Sequence, residues 1–175
     1  MSLRLKVMNR ADAIRFSEDF HDEPFYIISI HSNRSPEPQF AENECVKGIL
    51  RMTFADVDDQ GDPWSFSEED GMEVFRWARN LPDNALVVVH CRAGRSRSAA
   101  VAAALSYIFN DRNDEEFWQF PPYAPNFLVY RRILYAWAQY ELFHMGHKKA
   151  EKNERQVYRD YYKIIDECAK EGSND

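Results

Sequence analysis

Cysteine is scarce in this chain. Three occur in 175 residues, Cys45, Cys91 and Cys168, odd in number and far apart. They exclude a disulfide framework and fit a reducing compartment, so a cytoplasmic protein is expected. No Cys-x-x-Cys pair or Cys/His cluster points to zinc. His21, His31, His144 and His147 are scattered, and each reads as a surface or structurally satisfied side chain. The i, i+3 pair His144 and His147 lacks a carboxylate partner, so no metal is expected. Basic residues are in deficit as well, 22 against 29 acidic ones, for a formal net charge of −7. That balance excludes a nucleic-acid coat and a strong binder of acidic membranes. No apolar run is long enough to cross a bilayer, and Met1 to Phe16 lacks the long apolar core of a signal peptide. Internal repeats and low-complexity segments are missing too.

What is present suits one globular domain with a real core: 45% hydrophobic and 14% aromatic residues. Leu3 to Met8 alternates apolar and polar residues and predicts a strand at a sheet edge. Asn9 or Arg10 to Ser17 reads as a short helix. Phe25 to Ile30 is apolar and β-branched, the pattern of a buried strand. Ser32 to Asn43, with Pro36 and Pro38, is a loop. Lys47 to Phe54 is a further strand, and Asp56 to Ser65, with four aspartates, is a second long loop. Ser67-Glu68-Glu69-Asp70 looks like a helix cap, with the helix running to about Arg79. Leu86 to Val89 is the central strand. A loop from about Asn110 to Pro125 follows the next helix, and helices fill Phe127 to Phe143 and Lys149 to Lys170. Alternating strands and helices predict an α/β fold, a three-layer sandwich around a mostly parallel sheet. Residues 1–146 form the domain, and 147–175 a helical extension packed on it. Ligands of such sheets sit beyond the carboxyl ends of the strands.

Residues 86–98 carry the chemistry: Leu-Val-Val-Val-His-Cys-Arg-Ala-Gly-Arg-Ser-Arg-Ser, with an Ala-rich helix starting at once. A strand, a short loop and a helix start make an anion site, because free amides and the helix dipole converge there. Arg92, Ala93, Gly94, Arg95, Ser96 and Arg97 would supply the amides. The same field favours the thiolate of Cys91. Arg97 keeps its charge, and its planar fork matches two oxygens of one phosphate. Gly94 opens backbone angles closed to other residues. An inert buried cysteine would not explain Arg92, Arg95 and Arg97 crowded around it.

His90, Cys91, Arg97 and Ser98 match the signature of the cysteine-dependent protein tyrosine phosphatases: His-Cys, five residues, Arg, then Ser or Thr. The chain resembles their dual-specificity or small prokaryotic branch. Cys91 lies mid-chain, unlike the cysteine of the low-molecular-weight phosphatases and arsenate reductases. The resemblance implies a phosphotyrosine phosphatase-like fold and hydrolysis of phosphate monoesters through a phosphocysteine on Cys91. The expected substrate is phosphotyrosine in a protein, with phosphoserine or phosphothreonine next, or a small phosphate ester. It implies no cofactor. Ser98 would donate a hydrogen bond to the thiolate or cap the following helix, and His90 would position the loop. The acid is expected on the aspartate loop. Asp56, directly after Phe54-Ala55, is chosen, with Asp59, Asp62 and Asp58 as alternatives. Asn126, after Pro125, resembles an asparagine whose side chain supports the cysteine loop in dual-specificity phosphatases; it also reads as a plain helix N-cap. Arg92 and Arg95 occupy places where tensin-like lipid phosphatases hold extra phosphates with lysines. The plainer expectation turns both outward to pair with loop aspartates. Rival functions are a phosphoinositide or other small-molecule phosphatase, a rhodanese-like sulfurtransferase and a phosphate-binding module without turnover. Neither substrate nor oligomeric state follows from the sequence.

Overall fold

A computed structural model of the protein describes residues 1–119 and 121–144. The helix expected over Lys149 to Lys170, with His147 and Cys168, and the 147–175 extension lie outside the described residues. Four strands and five helices follow one another along them: β1 (Leu3–Asn9), α1 (Arg10–Glu18), β2 (Phe25–His31), β3 (Val46–Thr53), α2 (Glu68–Arg79), β4 (Ala85–Cys91), α3 (Arg97–Phe109), α4 (Glu115–Gln119) and α5 (Phe127–His144). The sheet order is β1-β4-β2-β3 and every pairing is parallel. β1 is an edge strand, as its alternating pattern predicted. β2 and β4 are central, which is why Ile27, Ile28 and Ile30, interrupted only by Ser29, and Val87 to Val89 form near-continuous apolar runs: both faces are covered.

Successive side chains of a strand point to opposite faces, so the same runs feed two cores. Val88, Phe25 and Ile27 meet Ala13 of α1 on one face. Val87, Val89, Ile28 and Ile30 meet residues of α2, α3 and α5 on the other. The result is three layers, with the larger core on the α3 side. α3 is buried along Arg97 to Ser106, and its alanines let it lie between the sheet and α5. α2 opens on a complete capping box between Ser67 and Asp70 and ends at Arg79 as read from sequence. α2 and α5 also touch closely at Gly71, where a Cβ would come within 2.7 Å of the Arg132 carbonyl oxygen.

The segment from Asn110 to Pro125 is not entirely loop, because α4 forms one turn inside it. Tertiary anchoring makes it: Phe117 is buried, and Asp114 accepts from Trp118 Nε1 at 2.9 Å and from the Tyr130 hydroxyl at 2.7 Å. Among the described residues no helix is long and apolar enough to cross a membrane.

Candidate active site

β4 ends at Cys91 and α3 begins at Arg97, so residues 92–96 make the turn between them. Gly94 permits that turn. Its φ is +68°, and a Cβ there would lie 2.6 Å from both the Asn9 nitrogen and the Met8 carbonyl carbon. Glycine alone meets both conditions. The turn is thereby seated on the β1–α1 junction, and the Arg10 N–H donates to the Arg92 carbonyl at 3.4 Å.

Cys91 is 2% exposed at the floor of this turn, with its Sγ 3.1 Å from the Ser98 hydroxyl. Burial pushes the thiol up. The Ser98 hydroxyl and the backbone N–H groups of Ser98, Arg95 and Gly94 outweigh burial and hold it below the ordinary thiol range. Ser98 lies inside α3 and does not cap it. Ser96 is the N-cap residue, and it makes no side-chain cap bond. Its hydroxyl donates instead to Asp56 Oδ1 at 2.7 Å.

Arg97 is buried, and its Nη1 donates to the Phe54 carbonyl at 2.9 Å. Its Nε has no hydrogen-bond partner and lies 3.8 Å from Asp56 Oδ2. Asp56 is therefore brought over the loop, between Ser96 and the guanidinium. His90 is fully buried, its Nε2 2.9 Å from the Ser29 hydroxyl. Burial pushes the ring down to about 4, and the charges of Arg10, His31 and Arg51 add to that, so it is neutral at neutral pH. Its Nδ1 makes no hydrogen bond of ordinary geometry, although the Cys91 backbone lies close enough to favour the protonated ring and so opposes the effect of burial in part.

No family model matches the sequence, and no curated protein matches it. Among solved structures the chain is similar to DUSP15, with 20% identity, a TM-score of 0.51, and coverage of 89% of this chain and 90% of that one. It also resembles human DUSP28 at 18% identity and a TM-score of 0.46, covering 75% and 90% of the two chains. A third neighbour is the human tyrosine phosphatase-like serine/threonine/tyrosine-interacting protein: 18% identity, TM-score 0.48, 67% and 78% covered. The likeness to DUSP15 decides the architecture. This is the dual-specificity phosphatase fold.

Within the dual-specificity phosphatase fold, the remaining sequence candidates fall in different places. Asn126 does cap α5, its Oδ1 accepting from the Val129 N–H at 3.0 Å. Its side-chain amide does not reach the cysteine loop. It donates at 3.2 Å to Asp56 Oδ1 and to the Val57 carbonyl, while its backbone N–H reaches Ser96 O at 3.4 Å. Asn126 thus ties the aspartate loop to the cysteine loop. Arg92 and Arg95 are exposed, as is Ala93, and neither arginine pairs with a loop aspartate. Arg95 Nε donates to the Pro122 carbonyl at 2.8 Å, a backbone acceptor that the sequence did not suggest. Asp59 and Asp62 are engaged in their own loop, accepting from the Gly61 and Trp64 N–H groups at 2.8 and 2.7 Å. Two site residues went unnoticed in the sequence. Ser29 was signalled only as a lone polar residue in the apolar run of β2. The Phe54 carbonyl carries no side-chain signal at all.

Proposed function

We propose that this chain is a cysteine-dependent phosphatase that hydrolyses phosphate monoesters through a phosphocysteine. The observation that carries the reading is the placing of the Cys91 thiol, buried at the floor of the turn with its Sγ 3.1 Å from the Ser98 hydroxyl and Arg97 at the start of the next helix. In the first step the Cys91 thiolate attacks phosphorus and the phosphorus–oxygen ester bond breaks. Asp56 gives its proton to the departing oxygen. Charge gathers on the equatorial oxygens, where the loop amides and the Arg97 guanidinium stabilise it. The Nε of Arg97 suits this role, since it makes no hydrogen bond and faces the Asp56 carboxylate only across 3.8 Å, leaving a buried donor for an anion. In the second step water attacks phosphorus, and its proton passes to the Asp56 carboxylate. The phosphorus–sulfur bond breaks and its electron pair returns to Cys91, where the Ser98 hydroxyl stabilises the thiolate. His90 and Ser29 position the base of the loop without touching the reacting atoms. Phosphotyrosine in a protein is the substrate that the motif's resemblance implies, with phosphoserine or phosphothreonine next; a small phosphate ester would follow the same steps.

The wild type should hydrolyse an aryl phosphate, and Cys91→Ser should bind inorganic phosphate while losing turnover by several orders of magnitude. Turnover retained in Cys91→Ser removes the phosphocysteine. Sulfur transfer from thiosulfate in place of phosphate release would favour a sulfurtransferase.

A further inference from the structure

Beside the Cys91 turn lies a cavity of about 700 Å³, walled by the start of α1, the end of β2 and the loop after it. Arg10, Arg34, Arg92 and Arg97 line it together with His31, and no aspartate or glutamate does. Three arginines elsewhere each face a carboxylate: Arg4 with Glu23, Arg15 with Asp12, Arg51 with Glu37. Among the described residues the side chains of Arg10, Arg34 and Arg92 have no ion pair and no hydrogen bond. In a protein of net charge −7, a concave surface lined by four arginines and no carboxylate is a local reversal of sign. The Nδ1 of His31 is a further buried atom in that wall without a hydrogen-bond partner. Arg92 of the turn and Arg97 at the start of α3 line both this cavity and the site over Cys91, and the Arg10 N–H is bonded to Arg92 O. A group held here is therefore next to a phosphoryl group held there.

We propose that this cavity binds a second phosphate of the same substrate, with Arg10 and Arg34 as its specificity-determining cations and Arg92 shared between the two phosphates. The substrate class is then a compact, multiply phosphorylated small molecule. The inference rests on Cys91 as the site that receives the first phosphate. A single phosphotyrosine on a peptide would use Cys91 and Arg97 and leave Arg10 and Arg34 idle. The cavity volume falls within the several hundred Å³ typical of small-molecule sites.

The test is calorimetric and uses the full chain carrying Cys91→Ser, so that binding is read without turnover. Inorganic phosphate and tripolyphosphate are titrated at 0.15 M salt. Tripolyphosphate is expected to bind roughly tenfold or more tighter, the value of about one charge-assisted hydrogen bond. Adding Arg10→Gln and Arg34→Gln should bring that ratio close to one. Adding Arg76→Gln on α2, which removes a charge on the other side of the sheet, should leave it unchanged. The proposal is overturned if the ratio starts near one, if Arg76→Gln lowers it as far as the cavity variants do, or if a singly phosphorylated tyrosine peptide binds tighter than tripolyphosphate. Hydrolysis of an aryl phosphate by the wild type is scored separately. Turnover without a tripolyphosphate preference defeats the cavity assignment and leaves the catalytic one standing. A preference that depends on Arg10 and Arg34 without turnover does the reverse.

Discussion

Asp56 and His90 can each be tested alone, the first for its proposed part in the reaction and the second for its effect on stability. Asp56 accepts from Ser96 and Asn126 and approaches Arg97, so an amide in its place keeps the same shape but cannot give up a proton usefully. Asp56→Asn should slow an alkyl or electron-rich aryl phosphate by roughly a hundredfold. A nitrophenyl ester, whose leaving group needs no proton, should be slowed far less. Equal slowing of both esters removes Asp56 from the role of acid. His90 acts on stability. Its folded value of about 4 lies below the ordinary 6.5, so between those two pH values the unfolded chain binds the proton and the folded one does not. Stability is therefore unaffected above pH 6.5 and falls as pH drops towards 4, by roughly 3 kcal/mol in full. Urea midpoints measured across that range should show the slope, and His90→Asn should flatten it. These chemistries were legible because His90, Cys91, Arg97 and Ser98 share one short segment. Ser29 was not, because it comes from β2, and neither was the cavity beside the turn, whose Arg10, Arg34 and His31 come from the start of α1, the loop after β2 and the end of β2. The pairing of Arg92 and Arg95 with loop aspartates failed for the same reason. A backbone carbonyl took Arg95, and a carboxylate-free cavity took Arg92.

At the scale of elements, capping and periodicity were enough wherever an element carries its own signals. The Ser67–Asp70 box starts α2, and the Ala-rich run fills α3. α4 escaped because its single turn depends on Asp114 reaching Tyr130 of a later helix. Close packing between helices was equally hidden. Gly71 sits where α2 meets the backbone of α5, and alanine would have to push the two apart. Gly71→Ala should destabilise the fold by about 1–3 kcal/mol despite the better helix propensity of alanine, as read from urea unfolding. A stabilised variant would mean that α5 yields freely at Arg132. The movement matters for the site because Asn126, just before α5, joins the two functional loops.

At the scale of the whole molecule, the all-parallel sheet gathers the carboxyl ends of its four strands on one edge. β4 delivers Cys91 there, β3 leads into Asp56, β2 delivers His31 and β1 delivers Asn9. The fold class was legible from the alternation of strands and helices. The strand order was not, since it depends on which neighbours each crossover selects. One consequence follows from Gly94 resting on Met8 and Asn9: the turn over Cys91 leans on β1, one of the two edge strands of the sheet. Phosphate binding should therefore slow amide hydrogen exchange in β1 more than in β3, the opposite margin; equal slowing would show that the turn stands free of its seat. Occupancy of the anion ring would then be written into the protection of the first strand, and under the proposed mechanism any change that loosens that margin would dull turnover well before the protein melts.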